Sequence, residues 1–337
     1  MKFILEYIWI DKKGGLRSKT KVEKFAKEPT LHDCKEWNFD GSSTGQAVAD
    51  DSEVLLKPVA ICKDPFRGGT SKLVLCETWL DDKDPHPTNT RWKAEKIFSM
   101  AEDKKPMFGL EQEFFFSKDG APISWLNDRE PEAQGDYYCG VGLVDGRRCL
   151  EVVLKRCIWA DLHITGANAE VAPSQWEIQI CANGIQAADE LYFLRYILGR
   201  TAEEFGWQLD LRAKPKKGDW NGSGCHVNFS TTDMRSPDGI EHIHSAIERL
   251  KEKHKVHIKW YGAGNEERLT GKHETSDINT FTSGAGDRGA SVRLPTKVIE
   301  NQCGYFEDRR PSSEMDPYAV TSLLFATSCD IAQEYFV

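Results

Sequence analysis

Residues 108–116 read FGLEQEFFF, a run in which aromatic and aliphatic side chains surround two glutamates, Glu111 and Glu113. Such a composition is typical of a β-strand that is mostly buried. Side chains two positions apart on a strand point to the same face, so both carboxylates are expected to lie side by side. Like charges on an apolar face resist desolvation, and a divalent cation or cationic partners would keep them charged. An edge strand that turns both glutamates to solvent is the alternative.

A second pair of carboxylates, Glu170 and Glu177, lies within residues 166–180 (GANAEVAPSQWEIQI). Pro173 and Ser174 predict a turn between the two glutamates, and the apolar alternation after that turn predicts another strand. Two carboxylates that flank a turn beside an aromatic strand fit the same interpretation as a metal site.

A glycine-rich loop precedes His226 in residues 220–230 (WNGSGCHVNFS). Its glycines, Gly222 and Gly224, allow a ligand to approach the backbone closely as the chain enters a strand. A lone histidine is more often a core residue with satisfied hydrogen bonds, and that alternative stays open at this point. The loop matches neither a dinucleotide-binding fingerprint nor a P-loop.

Four arginines follow near the end of the chain, in segments rich in turn residues. On loops, planar guanidinium groups can bind phosphate or carboxylate through two hydrogen bonds at once. Surface ion pairing is the alternative for any one of them. Glu307 adds a carboxylate among these cations, which are Arg288, Arg293, Arg309 and Arg310.

These residue types point to one kind of chemistry. Hard oxygen ligands favour Mg²⁺ or Mn²⁺. Metal ions beside arginines indicate phosphoryl transfer from a nucleotide, in which catalysis consists mainly of positioning and charge neutralisation. The spacing of the residues predicts no more than this.

The chain is expected to divide into a small N-terminal β domain, residues 1–85, and a larger α+β domain, residues 86–337. Residues 1–10 and 73–79 have the composition of strands, whereas residues 81–89 (DDKDPHPTN) are charged and proline-rich, as a linker would be. Apolar periodicity predicts helices at residues 90–102, 186–205 and 242–257.

Composition and charge argue against several classes of protein. The 337 residues carry a net charge of −9 and no basic run, so binding to nucleic acid or to an anionic membrane is not expected. No apolar stretch approaches the ~18 residues needed to span a bilayer. The ten cysteines are scattered without a C-x-x-C pair, and no cleavage pattern follows the first strand, which favours reduced thiols in a cytoplasmic protein.

Longer motifs add a resemblance to a known family, the glutamine synthetases of the eukaryotic type. Eight segments occur in the order found in that family: EWNFDGSSTGQA (36–47), KDPFRGG (63–69), GLEQE (109–113), YYCGVG (137–142), NAEVAPSQWE (168–177), NGSGCH (221–226), RLTGKHET (268–275) and FEDRRPS (306–312). The resemblance covers nearly the whole chain.

The resemblance implies an α+β fold, with an N-terminal β-grasp-like domain and a C-terminal catalytic domain that has a curved antiparallel sheet and helices. It also implies a homo-oligomer of two stacked pentameric rings, in which each active site forms between the N-terminal domain of one subunit and the catalytic domain of its neighbour. The implied reaction joins ammonia to L-glutamate with ATP as co-substrate, through γ-glutamyl phosphate, and gives L-glutamine, ADP and phosphate.

Metal and substrate residues follow from the resemblance, position by position. It implies two to three Mg²⁺ or Mn²⁺ ions per site, with one ion bound by Glu113, Glu170 and Glu177 and a nucleotide-side ion bound by Glu111, His226 and Glu307. Positions matched to glutamate binding are Trp220, Asn221, Gly222, Arg268 and Arg309. Positions matched to nucleotide binding are Asn228, Ser230, Arg293 and Tyr305.

Catalytic roles are implied in the same way for Asp51, Glu274, Arg288 and Arg309. Asp51 matches the residue that binds and deprotonates ammonium, and Glu274 matches a residue that closes the site against water. Arg288 matches a residue that stabilises charge on the transferring phosphoryl group.

The sequence departs from the family pattern at Met107, Asp136, Asp287 and Glu314. Asp287 puts a negative charge directly beside Arg288. Two alternative hypotheses are a non-catalytic structural protein that kept the fold, and a γ-glutamyl-amine ligase that uses another amine. The complete set of matched ligands disfavours the first alternative, and the presence of Asp51 disfavours the second.

Overall fold

The computed structural model describes residues 1–131, 133–142, 144–332 and 335–336, and its strands form two sheets. The first sheet has the order β2-β1-β5-β4-β3, in which only β1 and β5 are parallel neighbours. Its strands are β1 (Lys2–Ile10), β2 (Leu16–Lys24), β3 (Trp37–Asp40), β4 (Glu53–Lys63) and β5 (Lys72–Trp79). The predicted strands at residues 1–10 and 73–79 are therefore confirmed.

Both faces of the first sheet are covered. On β1, Leu5, Tyr7 and Trp9 pack in a small core of the N-terminal sheet. Ile8 points to the opposite face and joins the large core of the rest of the chain, together with Leu75 on β5. Because successive side chains of a strand alternate between faces, β1 contributes side chains to both hydrophobic cores.

The second sheet contains nine strands and carries the residues of interest. Its main order is β12-β13-β14-β11-β6-β9-β8, and β7 and β10 also pair with β6. The strands are β6 (Met107–Lys118), β7 (Ala121–Pro122), β8 (Ile164–Ala169), β9 (Gln175–Asn183), β10 (Gln208–Asp210), β11 (Cys225–Ser230), β12 (Ser283–Ala285), β13 (Val292–Leu294) and β14 (Phe306–Asp308). Their pairing is antiparallel except between β12 and β13, which are parallel and so depart from the purely antiparallel prediction.

Strand β6 lies between β11 and β9 in the middle of the second sheet. Phe108, Leu110 and Phe114 on this strand are fully buried. The alternative in which Glu111 and Glu113 lie on an exposed edge strand is therefore wrong.

The described residues form nine α-helices, which supply much of the large core. They are α1 (Thr90–Ser99), α2 (Arg147–Trp159), α3 (Ile185–Glu204), α4 (Thr232–Arg235), α5 (Ile240–Glu252), α6 (His254–Ile258), α7 (Asn265–Arg268), α8 (Thr296–Asn301) and α9 (Pro317–Cys329). Within the described ranges, no helix combines the length and the apolar character needed to cross a bilayer.

Two predicted helices differ from the structure in their extent. Helix α1 ends at Ser99 rather than at residue 102, because Ala101 leaves the helical conformation. The helix predicted at residues 242–257 is two helices, α5 and α6, separated at Lys253 (φ −93°, ψ 9°). This break turns His254 and His257 into the protein interior.

Buried ion pairs join the first sheet to helices α1 and α3. Arg91 on α1 donates to both carboxylate oxygens of Asp189 on α3, at 2.8 and 2.9 Å, and to Glu77 on β5 at 3.0 Å. All three side chains are buried. Because a buried charge is stable only with its partner in place, this arrangement fixes the orientation of the N-terminal sheet on the catalytic part of the chain.

Candidate active site

A polar cavity of about 310 Å³ lies on the face of the second sheet to which Glu111 and Glu113 point. Side chains from β6, β9, β11, β13 and β14 line it together with loop residues. The predicted site residues that line this cavity are Glu111, Glu113, Glu170, Glu177, Asn221, Gly222, His226, Arg268, Glu274, Arg288, Arg293, Glu307 and Arg309.

Strand register brings the acidic groups together. Glu113 on β6 lies directly opposite Glu177 on β9, and Glu111 lies opposite His226 on β11. Glu307 on β14 lies opposite Arg293 on β13. Directly paired residues place their side chains on the same face of a sheet, so residues far apart in sequence meet above β6.

The result is two groups of three potential metal ligands. Within each group, one ligand atom from every residue lies within 4.8 Å of the others. The carboxylate cluster consists of Glu113, Glu170 and Glu177, and the imidazole cluster consists of Glu111, His226 and Glu307. Oxygen-rich sets of this size suit divalent cations such as Mg²⁺ and Mn²⁺, so the residues present fit the ions that the resemblance implies.

Burial makes the carboxylate cluster difficult to ionise without a cation. It raises the pKa of Glu113 to about 7, and burial together with nearby carboxylates raises the pKa of Glu170 to about 8 and that of Glu177 to about 9. Their hydrogen-bond donors are uncharged, namely the backbone N–H of Gly224, the N–H of Val171 and the side-chain amides of Asn168, Gln175 and Gln179.

The imidazole cluster has charged partners of its own. Glu307 accepts from Arg309 Nη1 at 2.6 Å and from Arg293 Nη1 at 3.3 Å. The Nδ1 atom of His226 lies 3.4 Å from Glu307 Oε1 and 3.6 Å from Glu111 Oε2. Burial, helped by the charge of Arg309, holds the pKa of His226 well below its usual range, so the ring is neutral, as a metal ligand must be. His226 Nε2 also lies 3.1 Å from Arg268 Nη2, so the ring has a hydrogen-bond partner within the chain and its role as a metal ligand stays a prediction.

A hairpin covers one side of the cavity. We call residues 269–278 the Glu274 hairpin; it is closed by the hydrogen bond from Ile278 N to Leu269 O, at 3.0 Å. Glu274 has a φ of 61°, in the left-handed region, and its Oε2 accepts from Arg288 Nη2 at 3.0 Å. The backbone oxygen of Glu274 also accepts from Arg309 Nη2, at 3.3 Å. A carboxylate and two arginines therefore meet at the mouth of the site.

Five predicted residues do not line the cavity. Asp51 is exposed in the turn that follows β3, and Trp220 packs edge-on against Trp125 at 4.8 Å. Asn228 donates to Glu111 at 2.7 Å and Ser230 accepts from Arg235 at 2.8 Å, whereas Tyr305 is 41% exposed. The proposed roles of these five residues stay predictions.

Two predictions about the arginines are wrong. Arg310 does not line the cavity; it lies two positions after Asp308, the last residue of β14, and is buried at 1% exposure and paired with that carboxylate. Arg293 lies on β13 rather than on a loop.

Sequence reasoning assigned no role to five further cavity residues, although four of them lie in the quoted motifs YYCGVG and RLTGKHET: Tyr137, Tyr138, Gln179, His273 and Thr275. The rings of Tyr137 and Tyr138 stack at 3.7 Å, and the guanidinium of Arg288 lies 4.8 Å from the ring of Tyr137. Gln179 follows Glu177 by two positions on β9, so the rule that placed Glu111 beside Glu113 would have found it.

Comparisons with known proteins identify the family. Residues 1–80 match the family model described as "Glutamine synthetase, beta-Grasp domain", and residues 87–243 match "Glutamine synthetase, catalytic domain". A relative named glutamine synthetase from Kluyveromyces lactis is 50% identical over 97% of this chain and 88% of its own length. Another from Amanita muscaria is 48% identical over 97% of this chain and 93% of its own length.

A solved structure titled "GmaS/ADP complex-Conformation 1" has a TM-score of 0.74 with this chain at 19% identity, and the match covers 97% of this chain and 78% of that one. At this identity the likeness bears on the fold alone, and with the family models it confirms the predicted α+β fold. The chain belongs to the glutamine synthetase family of the eukaryotic type and is a glutamate–ammonia ligase, dependent on ATP and a divalent metal.

Proposed function

We propose that the carboxylate and imidazole clusters hold two to three Mg²⁺ or Mn²⁺ ions and that the cavity beside them binds ATP and glutamate. The observation that carries this proposal is that six potential ligand residues form two sets of three. Within each set, one ligand atom from every residue lies within 4.8 Å of the others. When bound, the ions would neutralise charge on the phosphate groups. The chain's own residues then bind, orient and cover the reactants.

Glutamate binding is assigned to Arg268, Asn221 and Gly222. Arg309 is assigned to the end of the substrate at which the phosphoryl group is transferred. Burial lowers the pKa of Arg268 to about 10, which marks a guanidinium removed from water. Its terminal nitrogens contact Asn265, His226 and the backbone oxygens of Arg309 and Arg310, which hold the guanidinium in one orientation at the cavity. Trp220, packed on Trp125 next to Asn221, would shape the wall of this part of the site.

Nucleotide binding is assigned to Arg293, together with Asn228, Ser230 and Tyr305. The Nε atom of Arg293 is buried and has no hydrogen-bond partner among the described residues. A buried donor without a partner costs free energy until an acceptor arrives, and a phosphate oxygen would supply one. Asn228 and Ser230 follow His226 along β11, and Tyr305 precedes β14.

The reaction follows in two steps. A γ-carboxylate oxygen of glutamate attacks the γ-phosphorus of ATP, ADP leaves, and γ-glutamyl phosphate forms while Arg288 and Arg309 stabilise charge on the transferring group. Ammonium then loses a proton to Asp51, and ammonia attacks the acyl carbon and displaces phosphate. Glu274 would keep water away from the acyl phosphate between these steps.

Asp51 is proposed to act in the site of a neighbouring subunit. It is exposed and does not line the cavity of its own chain, which is expected if the N-terminal domain completes the adjacent site. This arrangement requires a homo-oligomer, for which we propose two stacked pentameric rings. We place the domain boundary between residues 1–85 and 86–337, where the chain passes from the first sheet to α1.

A cytoplasmic location is proposed from the state of the thiols. All ten cysteines are free in the structure. Free thiols without disulfides are typical of proteins in reducing compartments.

The first experiment measures phosphate release from ATP with glutamate and Mg²⁺, with and without ammonium, alongside glutamine. Release that requires ammonium and matches glutamine one for one is the expected result. Mixing the inactive variants Asp51→Asn and Glu177→Gln during assembly should restore activity, because some mixed sites combine an intact Asp51 with an intact cluster. If a folded, metal-loaded protein made no glutamine, the assignment of the cavity would fail; absence of restoration would refute the shared site.

A further inference from the structure

The segment that carries Glu307 and Arg309 has a second, buried side. Asp308 and Arg310 alternate with the cavity residues and are 0% and 1% exposed. Asp308 accepts from Arg310 Nε at 2.8 Å and from Arg310 Nη2 at 2.7 Å. An ion pair with two parallel hydrogen bonds fixes both the position and the plane of the guanidinium. This pair is a rigid element directly behind the catalytic groups.

His254, the first residue of α6, connects this ion pair to the Glu274 hairpin. Its Nδ1 atom lies 3.0 Å from Arg310 Nη1. A guanidinium only donates hydrogen bonds, so Nδ1 is the acceptor and the ring proton is on Nε2. Nε2 lies 2.8 Å from the carbonyl oxygen of Ile278 and donates to it. The imidazole is therefore held in one tautomer between Arg310 and Ile278.

The surroundings of His254 favour this neutral form. Burial, and less strongly the charge of Arg310, lowers the pKa of His254 below its usual range. Phe281 packs edge-on against the imidazole at 5.8 Å, and the guanidinium of Arg310 lies over the Phe281 ring, 5.0 Å from its centre. An imidazole that is packed and hydrogen-bonded at both nitrogens is a fixed support rather than a surface side chain.

Ile278 is at the base of the Glu274 hairpin. Its N–H donates to Leu269 O at 3.0 Å, and Thr270 pairs with Asp277 one step further along the hairpin. Toward the tip, Glu274 contacts Arg288 and Arg309, which belong to the catalytic cavity. The hairpin is thus held at its tip by cavity residues and at its base by His254.

We propose that His254 is a positioning residue that fixes the base of the Glu274 hairpin against the segment that carries Glu307 and Arg309. The connection runs from Asp308 through Arg310 and His254 to Ile278. The position of the hairpin over the cavity is then set by the same segment that contributes to the metal and substrate sites. The consequence for catalysis rests on the role proposed above for Glu274, whereas the effect on the hairpin does not.

Two substitutions at His254 separate its hydrogen bonds. In His254→Gln the amide nitrogen reaches roughly the place of Nε2 and keeps a donor for Ile278. In His254→Asn the shorter amide reaches roughly the place of Nδ1, keeps an acceptor for Arg310 and leaves Ile278 without its donor. The two variants remove similar ring volume, so they differ mainly in the contact with the hairpin.

His257→Asn is the matched control for loss of a buried histidine. His257 lies three positions later on α6 and is 0% exposed. Its Nδ1 and Nε2 atoms contact Tyr261 OH at 2.6 Å and Thr327 Oγ1 at 2.8 Å, and neither partner belongs to the hairpin. Tyr261 OH also donates to Asp308 Oδ2 at 2.7 Å, and the asparagine amide, which reaches roughly the place of Nδ1, keeps the contact with Tyr261. This variant should lower the unfolding temperature without loosening the hairpin.

The experiment measures hydrogen exchange in residues 269–282 and the ratio of phosphate released to glutamine formed, in the intact assembled enzyme. Loss of one buried hydrogen bond in His254→Asn should speed exchange at the N–H groups of Ile278 and Thr280 by about fivefold. Its phosphate-to-glutamine ratio should rise above one, as in Glu274→Ala. His254→Gln and His257→Asn should match the unchanged protein in both measurements.

Unchanged exchange in His254→Asn would overturn the proposal, and so would equal loosening in His257→Asn. If Glu274→Ala keeps a ratio of one, the role proposed for Glu274 fails, and hydrogen exchange alone then decides whether His254 holds the hairpin. If Glu274→Ala raises the ratio and His254→Asn does not, the catalytic part of the inference fails while the role of Glu274 stands.

Discussion

The carboxylate cluster and the imidazole cluster line the same cavity, but their negative charge is compensated differently. In the imidazole cluster, Glu307 forms ion pairs with Arg309 at 2.6 Å and with Arg293 at 3.3 Å. In the carboxylate cluster, the hydrogen bonds to Glu113, Glu170 and Glu177 come from amides and backbone N–H groups without a formal charge.

This difference shows which cluster depends more on a cation from solution. In the imidazole cluster the chain itself supplies two cations to Glu307, whereas Glu111 accepts from the uncharged amide of Asn228. The carboxylate cluster keeps three buried acids that either take up protons or bind a metal ion, because isolated buried charges are costly. On the proposed assignment, a metal ion would take the place of these protons in the carboxylate cluster.

The largest effect is expected for Glu177→Gln, which removes one charge from the carboxylate cluster and keeps an acceptor for Gln179. Glutamine formation at saturating Mg²⁺ should fall by at least about a hundredfold, because a ligand and part of the transition-state electrostatics are lost. The metal-free protein should instead become more stable, since a buried acid becomes a neutral amide. Activity assays and thermal unfolding in chelator measure the two opposite changes.

Glu300→Gln on α8 is the matched control for this substitution, because Glu300 is exposed and outside both clusters. It should change neither measurement. Activity of Glu177→Gln within a few fold of the unchanged protein would contradict the metal-ligand role of the carboxylate cluster.

An intermediate effect is expected in the pH dependence of the metal-free protein. The unfolded carboxyl groups titrate near 4.5, whereas the folded pKa values of Glu113, Glu170 and Glu177 are about 7, 8 and 9. Between pH 4.5 and these folded pKa values, the unfolded chain binds fewer protons than the folded chain. The free energy of unfolding is therefore greatest at the acidic end of this range and falls as the pH rises through the folded pKa values. Mg²⁺ should oppose this loss by replacing the protons.

Urea unfolding with chelator and with Mg²⁺, from mildly acidic to alkaline pH, tests this expectation. The stabilisation by Mg²⁺ should grow by about 1.4 kcal/mol per pH unit for each proton that the ion displaces, until the folded pKa values are passed. A gain from Mg²⁺ that does not change with pH would show that the carboxylate cluster is not the group whose ionisation limits stability.

The smallest effect is expected for Asp287→Asn, which removes a negative charge beside Arg288 but outside both clusters. Asp287 Oδ1 accepts from Gly289 N at 2.8 Å, and an asparagine oxygen can do the same. Arg288 pairs with Glu274 instead of with Asp287. Exposed charges contribute little, so kcat/KM for glutamate should stay within about twofold. A tenfold rise would mean that charge outside the clusters controls the reaction.

Local patterns predicted the elements of the site well. The aromatic run at residues 108–116 indicated a buried strand, and strand periodicity placed Glu111 beside Glu113, because both are properties of a few adjacent residues. The same reasoning failed where packing prevails over local preference. The predicted helix at residues 242–257 is broken at Lys253, and Arg310 turns away from the cavity to pair with Asp308.

Cavity residues that bear no formal charge were harder to predict. Tyr137, Gln179 and Thr275 have side chains that are common throughout proteins, so their types alone indicate no site. Their positions follow from how a loop and a hairpin fold over the sheet. His254 likewise resembled any helical residue until its two nitrogens could be assigned to partners at Arg310 and Ile278.

The sequence alone determined the family motifs and the direction in which the paired glutamates of β6 point, since these depend on residue order and on the geometry of one strand. The family resemblance implied which carboxylates share a cluster, but only the tertiary structure supplied the physical reason. Strand register set Glu113 opposite Glu177 and Glu111 opposite His226, and β14 brought in Glu307 from almost 200 residues away. Register arises from hydrogen bonds between distant strands, and no local pattern encodes such long-range pairing.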